Sequence, residues 1–222
     1  MMQKENAKIP HQNLGYRPVH LTYRLSGSLP VRVLEDIRLK YEERKRQMET
    51  KFKDNPELLR SGLYAHEAFV INARFELDID EVLHKIKSGP FYLQEPLSAE
   101  EVIQSWKFLH DHEDVYLYAV CVMGNHVHAI VRAPNDREEV DIGRVMNRHK
   151  AHTARVCNKI IGKTGSPFWE PVYFDRTVRQ NRFEQVMWYV LNNPVKVGLV
   201  SHWWEWGGTY LNPDFDTLFR PG

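Results

Sequence analysis

The sequence predicts an α+β domain with an antiparallel sheet, and three observations carry that prediction. The longest apolar run, VYLYAVCVM at 115–123, is followed after Gly124-Asn125 by HVHAIVR at 126–132, which pairs the two runs as a β-hairpin. An earlier stretch, YRPVHLTYRL at 16–25, alternates with period two and places Val19, Leu21, Tyr23 and Leu25 on one face of a strand. Between these strands, residues from about 26 to 112 carry helical spacing and read as a helical insertion.

In chain order, Ser26-Gly27-Ser28 breaks the first strand. Residues 30–54 then place Val33, Leu34 and Ile37 on a helix face, and Asn55-Pro56 stops that helix. A second helical region at 65–87 is expected to break around Asp78-Ile79-Asp80-Glu81. Gly89-Pro90 turns the chain, and Ser98 with Glu101 forms a capping box for a third helix that runs to about His110. After the hairpin, residues 138–161 read as a basic amphipathic helix with Val145, Ala151, His152 and Val156 toward the core. Residues 172–178 form a further strand. Asn181 caps a helix that ends before Pro194, and the aromatic tail HWWEWGGTYL reads as loop.

Length and composition suit one globular domain: 222 residues, 42% hydrophobic and 27% charged. No stretch approaches the roughly 20 apolar residues of a membrane helix, and the polar start MMQKENAKIPHQNLG lacks a signal-type apolar core. No membrane association and a cytoplasmic location are therefore expected. Cys121 and Cys157 are too few for a disulfide framework and read as buried packing. The net charge of +1 conceals an asymmetry. From Arg144 to Lys196 ten Lys/Arg face three acidic residues, which gives +7, and the remainder carries −6. A basic half beside an acidic half suggests a face for a polyanion, although a solvated helix face fits as well.

The chemistry-bearing pattern starts with His126-Val127-His128. In a strand both imidazoles project to one face while Val127 packs on the other, so the pair is placed to chelate a divalent cation. Two partly buried structural histidines would show the same spacing. Tyr189 and Asn193 stand four apart on a helix and so share a face. An amphipathic core tyrosine and a helix-terminating asparagine explain them equally. Taken together the sites suit phosphodiester cleavage, which needs a metal to polarise the phosphate, a nucleophile in line with the leaving oxygen, and cations for the DNA backbone. A tyrosine ordinarily ionises near pH of about 10, so a nearby cation or base must help expose the phenolate.

The segments YAVCVMGNHVHAIV, NRHKAHTARVCNK, FWEPVYFDRTVR and WYVLNNPVKVGLV, in that order, together with the opening HLTYRLSGSLP, resemble the single-tyrosine HUH transposases of the insertion-sequence type. The resemblance covers about residues 16–210 and is strongest to the branch of REP-associated tyrosine transposases. It implies a ferredoxin-like or RRM-like antiparallel sheet with helices on one face. It also implies His126 and His128 as the metal pair, Tyr189 as the catalytic nucleophile and Asn193 in the place of a third metal ligand. Gly124 departs from the family's usual proline before Asn125, which alters the turn but not the ligands.

By the same resemblance the cofactor is Mg²⁺ or Mn²⁺ and the partner is single-stranded or hairpin DNA. The implied chain is a monomer or homodimer, associated with a bacterial nucleoid. Candidate DNA contacts are Arg144, Arg148, His149, Lys150, His152 and Arg155 on the basic helix, with Arg176 and Arg179 beyond it. Phe168, Trp169, Trp203, Trp204 and Trp206 are candidates for stacking on bases, against ordinary packing. The alternatives are a domesticated DNA-binding protein of the same fold without chemistry, and an unrelated metallohydrolase that would leave the tyrosine helix unexplained.

Overall fold

The structure, a computed structural model, describes residues 11, 13–135 and 139–220. Where the sequence suggested one domain, the chain divides into two compact units: residues 27–89, and a sheet unit formed by the chain on either side of them.

The sheet unit holds five strands: β1 (Val19–Leu25), β2 (Tyr116–Val122), β3 (His126–Arg132), β4 (Trp169–Thr177) and β5 (Thr209–Leu211). Their order is β4-β1-β3-β2-β5, with every neighbouring pair antiparallel. The expected α+β antiparallel sheet is thus present. The expected alternation in β1 is also seen, since Val19, Leu21, Tyr23 and Leu25 join Val127, Ala129 and Val131 in one apolar cluster. On the same face pack α3 (Pro96–Asp111) and α4 (Ile142–Ile160), through Val102, Trp106, Val145 and Met146.

The second face is covered as well. Met187, Val190 and Leu191 of α5 (Phe183–Leu191) pack on Ala119, Cys121 and Ile130, together with Trp203, Leu211 and Phe219 from the tail. Helices therefore lie on both faces, an addition to the one-sided layer that the resemblance implied. A β-bulge in β2 adds Tyr118 to this face. Leu117 opposes Val131 and Ala119 opposes Ile130, so the extra residue Tyr118 shifts the strand's alternation. Pro171 sits in β4, an edge strand, where a missing N–H costs no ladder bond.

Several local expectations are corrected. Pro96 starts α3, because the first helical position needs no N–H, so Ser98 lies buried inside the first turn and the expected capping box does not form. In α4 the buried stripe is Ile142, Val145, Met146, His149, Thr153 and Cys157, whereas Ala151 and His152 are exposed. The helix is capped by Asp141, whose side chain accepts from Arg144 N at 3.1 Å; its expected start at 138 lies outside the described residues. Asn181 lies in a 3₁₀ turn before α5 and caps nothing. The tail is no mere loop: it contributes β5 and the one-turn helix α7 (Asp216–Phe219). At Gly208 the backbone approaches β2 so closely that a Cβ would lie 2.5 Å from Val122 O. Both cysteines are buried, as expected.

The unit of residues 27–89 is an antiparallel hairpin of α1 (Val31–Asp54) and α2 (Leu63–Lys85). Phe52 packs edge-on against Tyr64 near the connection, and Tyr41 packs on Phe75 farther along. The expected break at Asp78-Ile79-Asp80-Glu81 is absent. Asp78 accepts from Arg44 at 2.9 Å and from Arg74 at 2.7 Å, and those cations offset the local cost of the acidic run.

Candidate metal centre and nucleophile

The second sheet face carries the polar residues that the core alternation leaves over. On β1 these are His20, Thr22 and Arg24, and on β3 they are His126 and His128. In register, Thr22 opposes His128 and Arg24 opposes His126. Residues directly opposite in an antiparallel pair share a face, so the five side chains form one polar strip across two strands. Each is no more than 8% exposed.

The two histidines lie with ring centroids 5.0 Å apart and planes at 87°. His126 Nδ1 lies 2.6 Å from Asn125 Oδ1, and since a carbonyl oxygen only accepts, the imidazole nitrogen donates. That bond fixes the tautomer and leaves Nε2 with its lone pair, the form a metal ligand needs. Asn125 therefore orients His126, and Gly124 allows the turn that brings it there. A Cβ at 124 would meet Gln94 Cγ at 2.9 Å and Phe91 Cδ1 at 3.1 Å, which explains why a bulkier residue is missing from the turn. His128 Nδ1 lies 3.1 Å from His20 Nε2 and 3.2 Å from Thr22 Oγ1.

Tyr189 is half-buried on α5, at the margin of the second apolar cluster. Its ring stands edge-on to His128 at 5.8 Å and to His20 at 5.9 Å. Lys196 Nζ lies 5.4 Å from the tyrosine ring centroid, a cation close to the phenol. Asn193 opens the one-turn helix α6 (Asn193–Lys196) and is wholly buried. Its Nδ2 donates to Tyr189 O at 2.9 Å, while Oδ1 has no hydrogen-bond partner among the described residues. Two imidazoles and an amide oxygen left without a donor fit a divalent cation of borderline or hard character.

The proposed DNA contacts are scattered. Arg144 and Arg155 lie on the exposed side of α4. Arg148 is exposed but paired with Asp114 at 3.0 Å, and His152 is exposed but paired with Glu101 at 2.7 Å. Two candidates are corrected. Lys150 is half-buried and donates to Glu170 O at 2.5 Å and Pro171 O at 2.9 Å, binding α4 to β4; burial lowers its ammonium to about 8. His149 is 1% exposed, lies within bonding distance of Tyr23 and Ser105, and is held neutral by burial with a pKa of about 3. It belongs to the core and cannot reach a phosphate.

The α4 helix lies on the face opposite the histidine pair. Arg176 is different: it opposes His20 in register and so shares the histidine face. Arg179 is exposed just past β4. Of the aromatic candidates, Phe168, Trp169 and Trp203 are buried and Trp206 donates to Val122 O at 2.9 Å, whereas Trp204 is exposed beside His202. His20, Thr22 and Asn125 escaped the sequence reading. The polar half of the β1 alternation marks His20 and Thr22, and Asn125 shows only as a turn residue before β3. Among the described residues no helix is long and apolar enough to cross a membrane.

The fold and the family of the chain are shared with known proteins. A solved structure of a REP-associated tyrosine transposase bound to a REP hairpin is similar over 97% of this chain and 88% of its own, at a TM-score of 0.52 and 12% identity. A crystal structure from Deinococcus radiodurans covers 86% of this chain and 97% of its own, at a TM-score of 0.38 and 15% identity. No curated protein matches the chain. The family of IS200-like transposases matches residues 60–193, well over half of the sequence and inclusive of His126, His128, Tyr189 and Asn193. The chain belongs to the IS200-like transposase family.

Proposed function

We infer that the protein is a metal-dependent single-stranded DNA endonuclease and strand transferase that acts at hairpin-forming DNA through a 5′-phosphotyrosine. The observation that carries this reading is the meeting of the Tyr189 ring with His128 on one sheet face, beside His126. His126, His128 and Asn193 would hold Mg²⁺ or Mn²⁺. When bound, the cation would polarise the scissile phosphate and offset its charge.

Tyr189 Oη attacks phosphorus as its proton passes to solvent, the P–O3′ bond breaks, and O3′ takes up a proton from solvent, so the upstream strand departs with a 3′-OH. Reversal by another 3′-OH rejoins the strand and frees the phenol. Asn125 keeps His126 in the tautomer with a lone pair at Nε2. The Lys196 ammonium favours the negative charge that develops on the phenol oxygen. Arg176 on the histidine face, and Arg144, Arg148, Arg155 and Arg179 outside it, supply cations for the DNA backbone. The hairpin partner is supported by the structurally similar transposase solved with a REP hairpin.

The test uses a 3′-labelled single-stranded oligonucleotide with a hairpin from the DNA flanking the protein's own coding sequence, incubated with Mg²⁺ or Mn²⁺. The expected product is a denaturation-resistant protein–DNA adduct that disappears in Tyr189→Phe and with EDTA. The variant should melt like the wild type, because its ring contacts remain. Hairpin binding with no adduct from the wild type would instead favour the domesticated DNA-binding protein.

A further inference from the structure

We propose that His20 is a positioning residue that fixes the ring and tautomer of His128, and through the same ring confines Tyr189. This rests on the metal-centre reading above. If His128 is to present Nε2 to a cation, its proton must sit on Nδ1, and that nitrogen then needs an acceptor. Two atoms stand within bonding distance, His20 Nε2 at 3.1 Å and Thr22 Oγ1 at 3.2 Å.

The imidazole nitrogen is the stronger acceptor, and it comes on a ring that stacks with His128 at 5.2 Å and 15°. His20 is 1% exposed, so water does not compete for the bond. The opposite side of the arrangement involves the nucleophile: the His20 ring meets Tyr189 edge-on at 5.9 Å. One side chain on β1 thus touches both the ligand on β3 and the tyrosine on α5. A purely structural residue at this buried position would need only to fill space. A β1 imidazole with its Nε2 on His128 Nδ1 has a directional role instead.

The experiment titrates Mn²⁺ alone, followed by electron paramagnetic resonance, into the full-length wild type, His20→Leu, His20→Gln and His128→Ala, with a thermal melt of each. Loss of an outer hydrogen-bond partner weakens metal affinity by about 10- to 100-fold, so His20→Leu should bind Mn²⁺ that much less tightly. Glutamine places an oxygen acceptor near the position of Nε2, and His20→Gln should recover binding to within about threefold of the wild type.

Wild-type affinity in His20→Leu, or equal weakening in both His20 variants, overturns the proposal while leaving the metal centre intact. No Mn²⁺ binding by the wild type, or undiminished binding by His128→Ala, overturns the metal reading and this inference with it. A nitrogen-15 spectrum of the metal-free wild-type histidines reads the tautomer without any substitution. A proton on His128 Nδ1 is expected, and a proton on Nε2 overturns the proposal even if His20→Leu does not fold.

Discussion

Tyr23→Phe removes a single oxygen atom, and the structure sets what that costs. The Tyr23 hydroxyl accepts from Trp106 Nε1 at 2.9 Å and lies 2.6 Å from His149 Nε2. The buried hydroxyl proton needs an acceptor, and since the indole N–H only donates, it is directed to His149 Nε2. His149 Nδ1–H then donates to Ser105 Oγ at 2.9 Å. The relay runs Trp106, Tyr23, His149, Ser105 with each donor matched to an acceptor. Tyr23, Trp106 and His149 are all at most 1% exposed, so no bulk water replaces the lost group. Phenylalanine leaves one buried donor and one buried acceptor unmatched, at about 1–3 kcal/mol each. The sum, about 2–6 kcal/mol, should lower the melting temperature by about 4–24 °C for a chain of this size. Tyr173→Phe is the internal comparison. That hydroxyl is buried with no partner among the described residues, and its removal should be neutral or mildly stabilising. Calorimetric melts of the two variants decide the matter. A Tyr23→Phe melt within about 2 °C of the wild type, or equal effects at the two tyrosines, would refute the relay.

The same relay predicts a pH dependence. Burial holds folded His149 at a pKa of about 3 against 6.5 when unfolded, so between those values the unfolded chain binds the extra proton. Stability therefore falls as pH drops from about 6.5 to 3, by about 1.4 kcal/mol per unit, and urea midpoints of His149→Gln should lack that component. Arg144→Ala with Arg155→Ala should reduce the slope of log affinity against log salt for hairpin DNA by about 1 per residue, while adduct formation at saturating DNA persists; an unchanged slope removes α4 from the DNA interface. Gly208→Ala would bring a Cβ to 2.6 Å from Trp206 Nε1 as well as onto Val122 O, and should cost about 1–3 kcal/mol with a changed near-ultraviolet tryptophan signal.

How much of this was legible in the sequence depends on the range of the interactions involved. Period-two alternation is local, and it found β1, the hairpin and the shared face of His126 and His128. The four-residue spacing of Tyr189 and Asn193 is equally local, but the helix it assumes stops at Leu191, so Tyr189 lies on α5 and Asn193 opens α6. What failed depended on partners far along the chain. His149 reads as a cation in NRHKAH, yet it falls on the apolar stripe of α4, where Tyr23 and Ser105, 126 and 44 residues away, satisfy it. Lys150 reads as a basic-helix residue, but carbonyls of β4 occupy it. The acidic run in α2 reads as a break because Arg44, on the other helix, is invisible to local propensity. Strand β5 is three residues long, pairs with only part of β2, and sits in an aromatic stretch without alternation.

The placement of Tyr189 follows from the same separation between packing and chemistry. Met187, Val190 and Leu191 are fully buried and fix the roll of α5 on the second sheet face. A helix turns about 100° per residue, so with those positions inward Tyr189 is carried to the margin of the contact, which is where it is half-buried against His20 and His128. Asn193, one turn later, falls back under the helix end, where its Nδ2 binds Tyr189 O and its Oδ1 is turned away from that carbonyl. The apolar residues of α5 thus determine where the phenol stands, and the polar strip of β1 and β3 determines what it meets there. The β2 bulge extends that platform: Ala119 and Cys121 hold their register on Ile130 and His128 from the hairpin turn, and the extra residue puts Tyr118 beside Ala119 on this face while Leu117 stays in the opposite cluster.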